Sequence, residues 1–321
     1  MTNTMILVGD VHLSDVPPTT RTSSYLDDVF KKLHQTIGVA ISHSAESIVL
    51  VGDVFHSKVP VRTSHQTVAR FLEWCGSARN LGKEVVILPG NHDYRSRSVE
   101  LLPEHPLGVV FASGLATELG SIPMEVSGAM VSGVRDEEPL EAFTIPGADV
   151  IVAHSALFPE ADLPEQWEAF SHEQVREVLA SETRLVYYGH IHDYHGIHKV
   201  GGVTFANLGA LSRGSLFEAT VDRKIRVGVV SWVPGRVETD GIRFRIQEAP
   251  IQYRPVEEVF RVEEVLGERA AAEEMASFAQ ALAVESVEMF SPEALQDRIA
   301  NRGDVDLPVR ERAVDLLHRS A

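Results

Sequence analysis

Five short clusters of metal-binding residue types punctuate this chain, each placed just behind a run of apolar, β-branched residues. The clusters are Asp10-Val11-His12, Gly52-Asp53, Gly90-Asn91-His92-Asp93, His154 and Gly189-His190-Ile191-His192. The runs before them are Met5 to Val8, Ile48 to Val51, Val85 to Leu88, Val150 to Ala153 and Leu185 to Tyr188. Short apolar runs of this kind read as buried strands. A loop leaving the end of such a strand is where an α/β protein holds catalytic groups rigidly at one sheet edge. The clusters are 43 residues apart from Asp10 to Asp53, then 38 to Asn91, 63 to His154 and 36 to His190. These gaps exclude a local zinc finger, so a site made of these residues has to be assembled by the fold.

Asp10, His12, Asp53, Asn91, His154, His190 and His192 give four imidazoles, two carboxylates and one amide, with no thiolate. Such an N/O set suits Mn, Fe, Zn, Ni or Mg better than a thiophilic ion. Seven donors suffice for two ions, and two ions roughly 3.5 to 4 Å apart are the arrangement that hydrolyses phosphate esters. Asp53 is the candidate for a shared, bridging carboxylate. Taken singly the clusters have other readings. A Gly-Asp pair after a strand is ordinary turn chemistry, His154 alone reads as a buried, hydrogen-bonded histidine, and His190 with His192 as surface residues. Their joint occurrence on five strand ends favours the metal site.

In this order and spacing the clusters resemble the calcineurin-like metallophosphoesterase superfamily, over roughly residues 5 to 215. The resemblance implies an α/β fold, a four-layer α-β-β-α sandwich, here with a helical C-terminal appendage. It implies two divalent ions, with Mn or Fe the family expectation. Asp10, His12, Asp53 and His192 would hold the first, and Asp53, Asn91, His154 and His190 the second. The resemblance further implies that a water bridging the two ions attacks phosphorus in line, so no side-chain nucleophile is needed. His92 would protonate or stabilise the leaving oxygen, with Asp93 beside it as its orienting partner.

The run Val51-Gly52-Asp53-Val54-Phe55-His56-Ser57-Lys58-Val59-Pro60 narrows the branch. Protein phosphatases of the superfamily carry G-D-x-V-D-R-G here and G-N-H-E later. This chain has Phe55, His56 and Ser57 in the first run and Asp93 in place of the glutamate. A G-D-[LIV]-F-[HD] run with a following Pro is instead similar to the SbcD-type DNA repair nuclease branch. In that resemblance His56 matches a second active-site histidine that positions the phosphate; otherwise it caps a helix or faces solvent. The runs Val8 to Asp15 and Asn207 to Ser215 resemble phage and bacterial members. Within the second run, Ser212 and Arg213 either meet a substrate phosphate or form a tight loop with a structural arginine.

The formal net charge is −17, which cuts against a freestanding DNA-binding protein, since phosphate contacts usually need a basic face. Two divalent ions soften the conflict, as would a shared DNA site with an SbcC-like coiled-coil ATPase partner. The expected activity is therefore a DNA exo- or endonuclease. A phosphodiesterase or phosphatase for cyclic nucleotides or other small phosphoesters is the alternative, and a non-catalytic binding module a third. The single Cys75 excludes an intramolecular disulfide, and no hydrophobic segment precedes the first strand. A cytoplasmic protein is expected, with no apolar run near the roughly 20 residues of a membrane helix.

Amphipathic helices are predicted over Ser23 to Ser44 and Ser64 to Arg79, with Cys75 packing in the second. Later strands are predicted at Val203 to Asn207, Arg226 to Trp232 and Gly241 to Ile246. The expected catalytic domain spans 1–254. Residues 255–321 read as helical, with Ser291-Pro292 as a helix start, and apolar faces at Met275, Phe278 and Leu282 and at Val314, Leu316 and Leu317. From 251 to 321 there are 15 acidic and 8 basic side chains. These helices either pack on the protein itself or dock a partner subunit or second copy.

Overall fold

A computed structural model describes residues 2–56, 63–95, 98–166, 168–214, 223–233 and 243–263, with single positions at 299, 307, 308, 311 and 314. The chain divides into two compact units, Met1–Arg261 and Val262–Ala321. The C-terminal helix positions around Met275, Ser291 and Leu316 lie outside the described residues.

In chain order the main elements are β1 (Asn3–Val8), α1 (Tyr25–Ser42), β2 (Ser47–Leu50), α2 (His65–Asn80), β3 (Glu84–Ile87), α3 (Pro106–Ala112), β4 (Thr117–Glu118), β5 (Met124–Val126) and β6 (Ala129–Val134). There follow β7 (Val150–His154), β8 (Leu157–Phe158), β9 (Phe170–Ser171), α4 (His172–Val178), β10 (Leu185–Gly189), β11 (Gly196–Val200), β12 (Val203–Asn207), β13 (Arg226–Trp232), β14 (Arg245–Pro250) and α5 (Val256–Val259). Two six-stranded sheets run β14-β13-β1-β2-β3-β4 and β11-β12-β10-β7-β6-β5.

Period-2 alternation on these strands builds the layers. Met5 and Leu7 of β1, Val49 of β2 and Val86 of β3 face Val131, Val150, Val152, Leu185 and Tyr187 of the other sheet in one buried cluster. The alternate residues Ile6, Val8, Ile48, Leu50, Val85 and Ile87 pack on Val29, Phe30, Leu33, Phe71, Trp74 and Cys75 of α1 and α2. On the far side Ile151, Ala153, Val186 and Tyr188 meet Val175 of α4. The result is the expected α-β-β-α sandwich. It explains the unbroken apolar runs, because strands covered on both faces need no polar side.

The last predicted strand is shifted. The expected strand covers 241–246, of which 241 and 242 lie outside the described residues, whereas the ladder with β13 runs from Arg226↔Pro250 to Ser231↔Arg245. Pairing with β13 sets this register: Ala249 is buried, and Glu248 reaches Arg226 at 2.9 Å. Residues just past the expected domain boundary at 254 also belong to the first unit. Val259 and Phe260 are buried, and Phe260 forms a β-bridge with Arg21.

That bridge closes over a buried ionic group. Arg21 donates to Asp28 Oδ2 at 3.0 Å, and Lys32 Nζ lies 3.2 Å from the same oxygen. The Arg21 guanidinium stacks on Tyr25 and Phe260, 4.9 and 4.8 Å from their ring centres. Two cations share one carboxylate here, so burial outweighs the attraction of Asp28 and brings the Lys32 ammonium down to about 7. The unfolded chain keeps that proton to about pH 10. Between these values unfolding takes up a proton, so stability rises with pH. The stability of the wild-type protein relative to Lys32→Met is therefore expected to climb between pH 7 and 10, as read from urea midpoints. A pH-independent difference would refute the assignment.

Candidate metal centre

The parallel strands end in step: Val8 of β1 pairs with Leu50 of β2, and Leu50 with Ile87 of β3. In the other sheet Gly189 of β10 lies beside His154 of β7. The loops leaving these ends are tied to one another. Val11 and His12 both donate their N–H to the Asp53 carbonyl, at 3.1 and 2.8 Å. The His190 N–H donates across the sheets to the Asp10 carboxylate, at 3.1 and 3.2 Å. His12, Asp53 and His190 adopt left-handed backbone, with φ of 51, 48 and 74°. Such non-glycine strain, about 1 to 3 kcal/mol each, persists only where the surroundings over-determine it. Two glycines are required by close approach. A Cβ on Gly52 would overlap the His154 ring, and one on Gly90 would overlap the Asp53 carboxylate.

Two sets of donor atoms result. His12 Nε2 lies 2.8 Å from His192 Nε2 and 3.6 Å from Asp53 Oδ2. His154 Nε2 lies 3.1 Å from Asn91 Oδ1 and 3.3 Å from Asp53 Oδ1. Asp53, 2 % exposed, thus presents one oxygen to each set. Ligand atoms of His12, Asp53 and His192, and likewise of Asp10, Asp53 and His154, fall within 4.8 Å of one another.

These sets fit divalent ions on their own chemistry. His154 Nδ1 is 2.8 Å from the Val51 carbonyl, to which it can donate, leaving the Nε2 lone pair pointing at two oxygen acceptors. Lone pairs that converge without a donor are stable around a cation. Separations near 3 Å are the edges of a coordination shell with bonds of about 2.1 Å. In the metal-free protein a proton on His154 takes the place that a cation would fill. Burial opposes charge on His154, but Asp53 and Asp10 overcome it and hold its pKa well above the ordinary imidazole range. Burial would raise Asp53, yet His154 and His12 hold it far down as a carboxylate. His12, buried and facing three other histidines, is pushed toward the neutral, ligating form despite Asp53.

Placement differs from expectation in part. Asp10 falls with Asp53 and His154, its Oδ1 3.3 Å from His154 Nδ1. The His190 ring lies at the rim, 5.2 Å from that of His154, and its Nε2 is 3.9 Å from Asp136 Oδ1. His56 and His92 stack with ring centres 5.2 Å apart, and both flank His12, at 5.2 and 5.1 Å. His56 Nδ1 is 3.3 Å from His12 Nδ1.

Three expectations are corrected. Asp93 does not orient His92: its carboxylate accepts the N–H groups of Val54, Phe55 and Gly90 at 3.2, 2.9 and 2.9 Å. His92 Nδ1 instead meets the His56 carbonyl at 2.6 Å. Arg213 cannot meet a substrate phosphate, being 1 % exposed. It lies over the Tyr253 ring and donates to the Arg254 carbonyl at 2.5 Å. Ser212 is likewise buried, its carbonyl accepting from Arg223 at 2.5 Å. Sequence reasoning missed Tyr25, whose hydroxyl donates to the His12 carbonyl at 2.8 Å. It also missed Asp136; nothing in the pattern around 136 signals that it faces the site.

The family model of the calcineurin-like phosphoesterase superfamily domain matches residues 4–221, the stretch that carries every loop of the site. The chain belongs to the calcineurin-like phosphoesterase superfamily. It is accordingly a hydrolase of phosphoesters whose family uses a dinuclear metal centre. Among solved structures it is similar to the Pseudomonas putida nuclease MPE, at 15% identity, over 72% of this chain and 85% of that one, with a TM-score of 0.34. No curated protein matches it. Among the described residues no helix is long and apolar enough to cross a membrane.

The different placements of Asp93 and His92 separate by mutation. Asp93→Ala strands three N–H donors, two on the Asp53 loop and one at Gly90, and is expected to destabilise the fold by about 3 kcal/mol. His92→Ala should stay within about 0.5 kcal/mol of wild type. Chemical denaturation of both variants reads the contrast, and equal losses would return Asp93 to the role of a mere neighbour of His92.

Proposed function

We propose that the protein is a dinuclear metal-dependent phosphodiesterase of the SbcD nuclease type, acting on DNA. The observation that carries the reading is the pair of stacked imidazoles, His56 and His92, beside His12 at the open side of the donor sets. Cleaving a diester expels an alkoxide that needs a proton. With Nδ1 anchored on the His56 carbonyl, His92 has Nε2 left to deliver one. His56 stands where it can orient the phosphoryl group. The run Gly52 to His56, which resembles the nuclease branch, supports the same reading.

When bound, two divalent ions supply an activated water and positive charge for the phosphoryl oxygens. We assign Asp10, His12, Asp53, Asn91, His154, His190 and His192 as the residues that hold them, with Asp53 between the two. Mn is the metal we would add first. Residues beyond 261 are proposed to dock a partner, an SbcC-like ATPase or a second copy.

One observation favours a second reading. A cavity of about 660 Å³ adjoins Asn91 and His190 and is walled by Asp136, Glu137, Glu138, Glu168 and Phe170. Acidic walls repel a polyanion and leave room for one small substrate, such as a cyclic nucleotide or another small phosphoester.

Purified protein with Mn is offered labelled double-stranded DNA, single-stranded DNA and cyclic nucleotides in parallel, with Asp53→Asn as control. DNA cleavage that the control lacks is the expected result, and His92→Ala should reduce it about 10²- to 10⁴-fold. Turnover confined to the small diesters would establish the second reading instead.

A further inference from the structure

The end of β12 and the residues after it supply no member of either donor set, yet they bind the backbone of two of the loops that carry them. Asn207, 1 % exposed, donates from Nδ2 to the Ile191 carbonyl at 2.9 Å. Its Oδ1 accepts the Gly209 N–H at 2.6 Å, and its own carbonyl accepts the His195 N–H at 3.2 Å. Three residues on, the Ala210 N–H donates to the His192 carbonyl at 3.1 Å. The Leu211 and Ser212 N–H groups then reach the Asp10 carbonyl at 2.9 and 3.3 Å. A single strand end therefore holds the His190–His192 loop with one hand and the Asp10–His12 loop with the other.

Asn207 is the part of this splice that only a side-chain amide can perform. Its donor fixes the carbonyl between His190 and His192, while its acceptor bends the chain at Gly209, where φ is 77°, so that Ala210 reaches His192. An aspartate has the same shape but lacks the donor, and would set an oxygen against the Ile191 carbonyl. His192 is exposed, and among the described residues its ring meets His12, at 2.8 Å between the Nε2 atoms. Its position opposite His12 thus depends on the loop being clasped.

We infer that Asn207 is a positioning residue for the metal centre, setting His192 against His12 and so governing affinity for the ion held by His12, Asp53 and His192. The inference rests on the dinuclear reading above. Outer-shell partners of this kind are worth about 10- to 100-fold in metal affinity.

The test is Mn²⁺ titration of the full-length protein by calorimetry for wild type, Asn207→Asp and Asn207→Ser, with melting temperatures measured in chelator and in Mn²⁺. Serine keeps a hydroxyl that can accept from Gly209 but is too short to reach Ile191, so it guards against a fold-specific defect of the aspartate. The expected result is that one of two Mn²⁺ ions binds about 10- to 100-fold more weakly in both variants. The metal-induced rise in melting temperature should shrink more than the metal-free melting temperature falls. A purely structural Asn207 would lower both melting temperatures together and leave affinity within twofold, which would overturn the inference. A wild-type protein that binds no pair of Mn²⁺ ions would overturn the dinuclear reading itself.

Discussion

Asp53 is a buried carboxylate placed where every loop of the site meets. Its Oδ1 accepts the His92 N–H at 2.8 Å and faces His154, while Oδ2 faces His12. Its carbonyl is committed to the N–H groups of Val11 and His12. A charge so enclosed is expensive unless it is paired. Around it stand another carboxylate and an amide oxygen rather than ammonium or guanidinium groups. Without metal the protonated His154 ring offsets this charge; bound divalent ions would take over that task, so the same feature that threatens the fold defines its chemistry.

Holding such a group requires rigidity, which the two sheets supply. Strand ends in common register bring five loops to one edge, and the left-handed residues among them are pinned by bonds from neighbouring loops rather than by their own. Asp93 belongs to this scaffold. By collecting three N–H donors from the Asp53 and Gly90 turns it fixes the approach of one donor loop to the next. Burial and the charge of Asp53 press it upward, against the three donors that favour its ionised form.

The strand ends were legible because their residues are apolar on both faces, and the donors because they follow those runs directly. The helices at Tyr25–Ser42 and His65–Asn80 differ from the expected ranges by only one or two residues at each end. What failed to show has physical reasons. Adjacent side chains on a turn point different ways, so His92 and Asp93 part company although they are neighbours in sequence. Of the two readings open for Arg213 the structural one fits its burial, and the sequence around it could not decide between them because its aromatic covers, Tyr253 and Phe260, arrive 40 and 47 residues later. The strand Ala129–Val134 carries Ser132 and Gly133 in an otherwise apolar run, which hides it.

The order of the strands has a consequence for biosynthesis. β1 comes earliest of these elements in the chain, but one of its two neighbours in the sheet is β13, near the end of the unit. The Asp10 loop waits for Leu211, and Arg21 for Phe260. Contacts so distant in sequence close slowly. A nascent chain emerging from the ribosome can complete β2 and β3 long before β1 has both partners, leaving one edge of that strand open to passing chains. The hydrolytic centre is thus withheld until nearly the whole first unit has been synthesised.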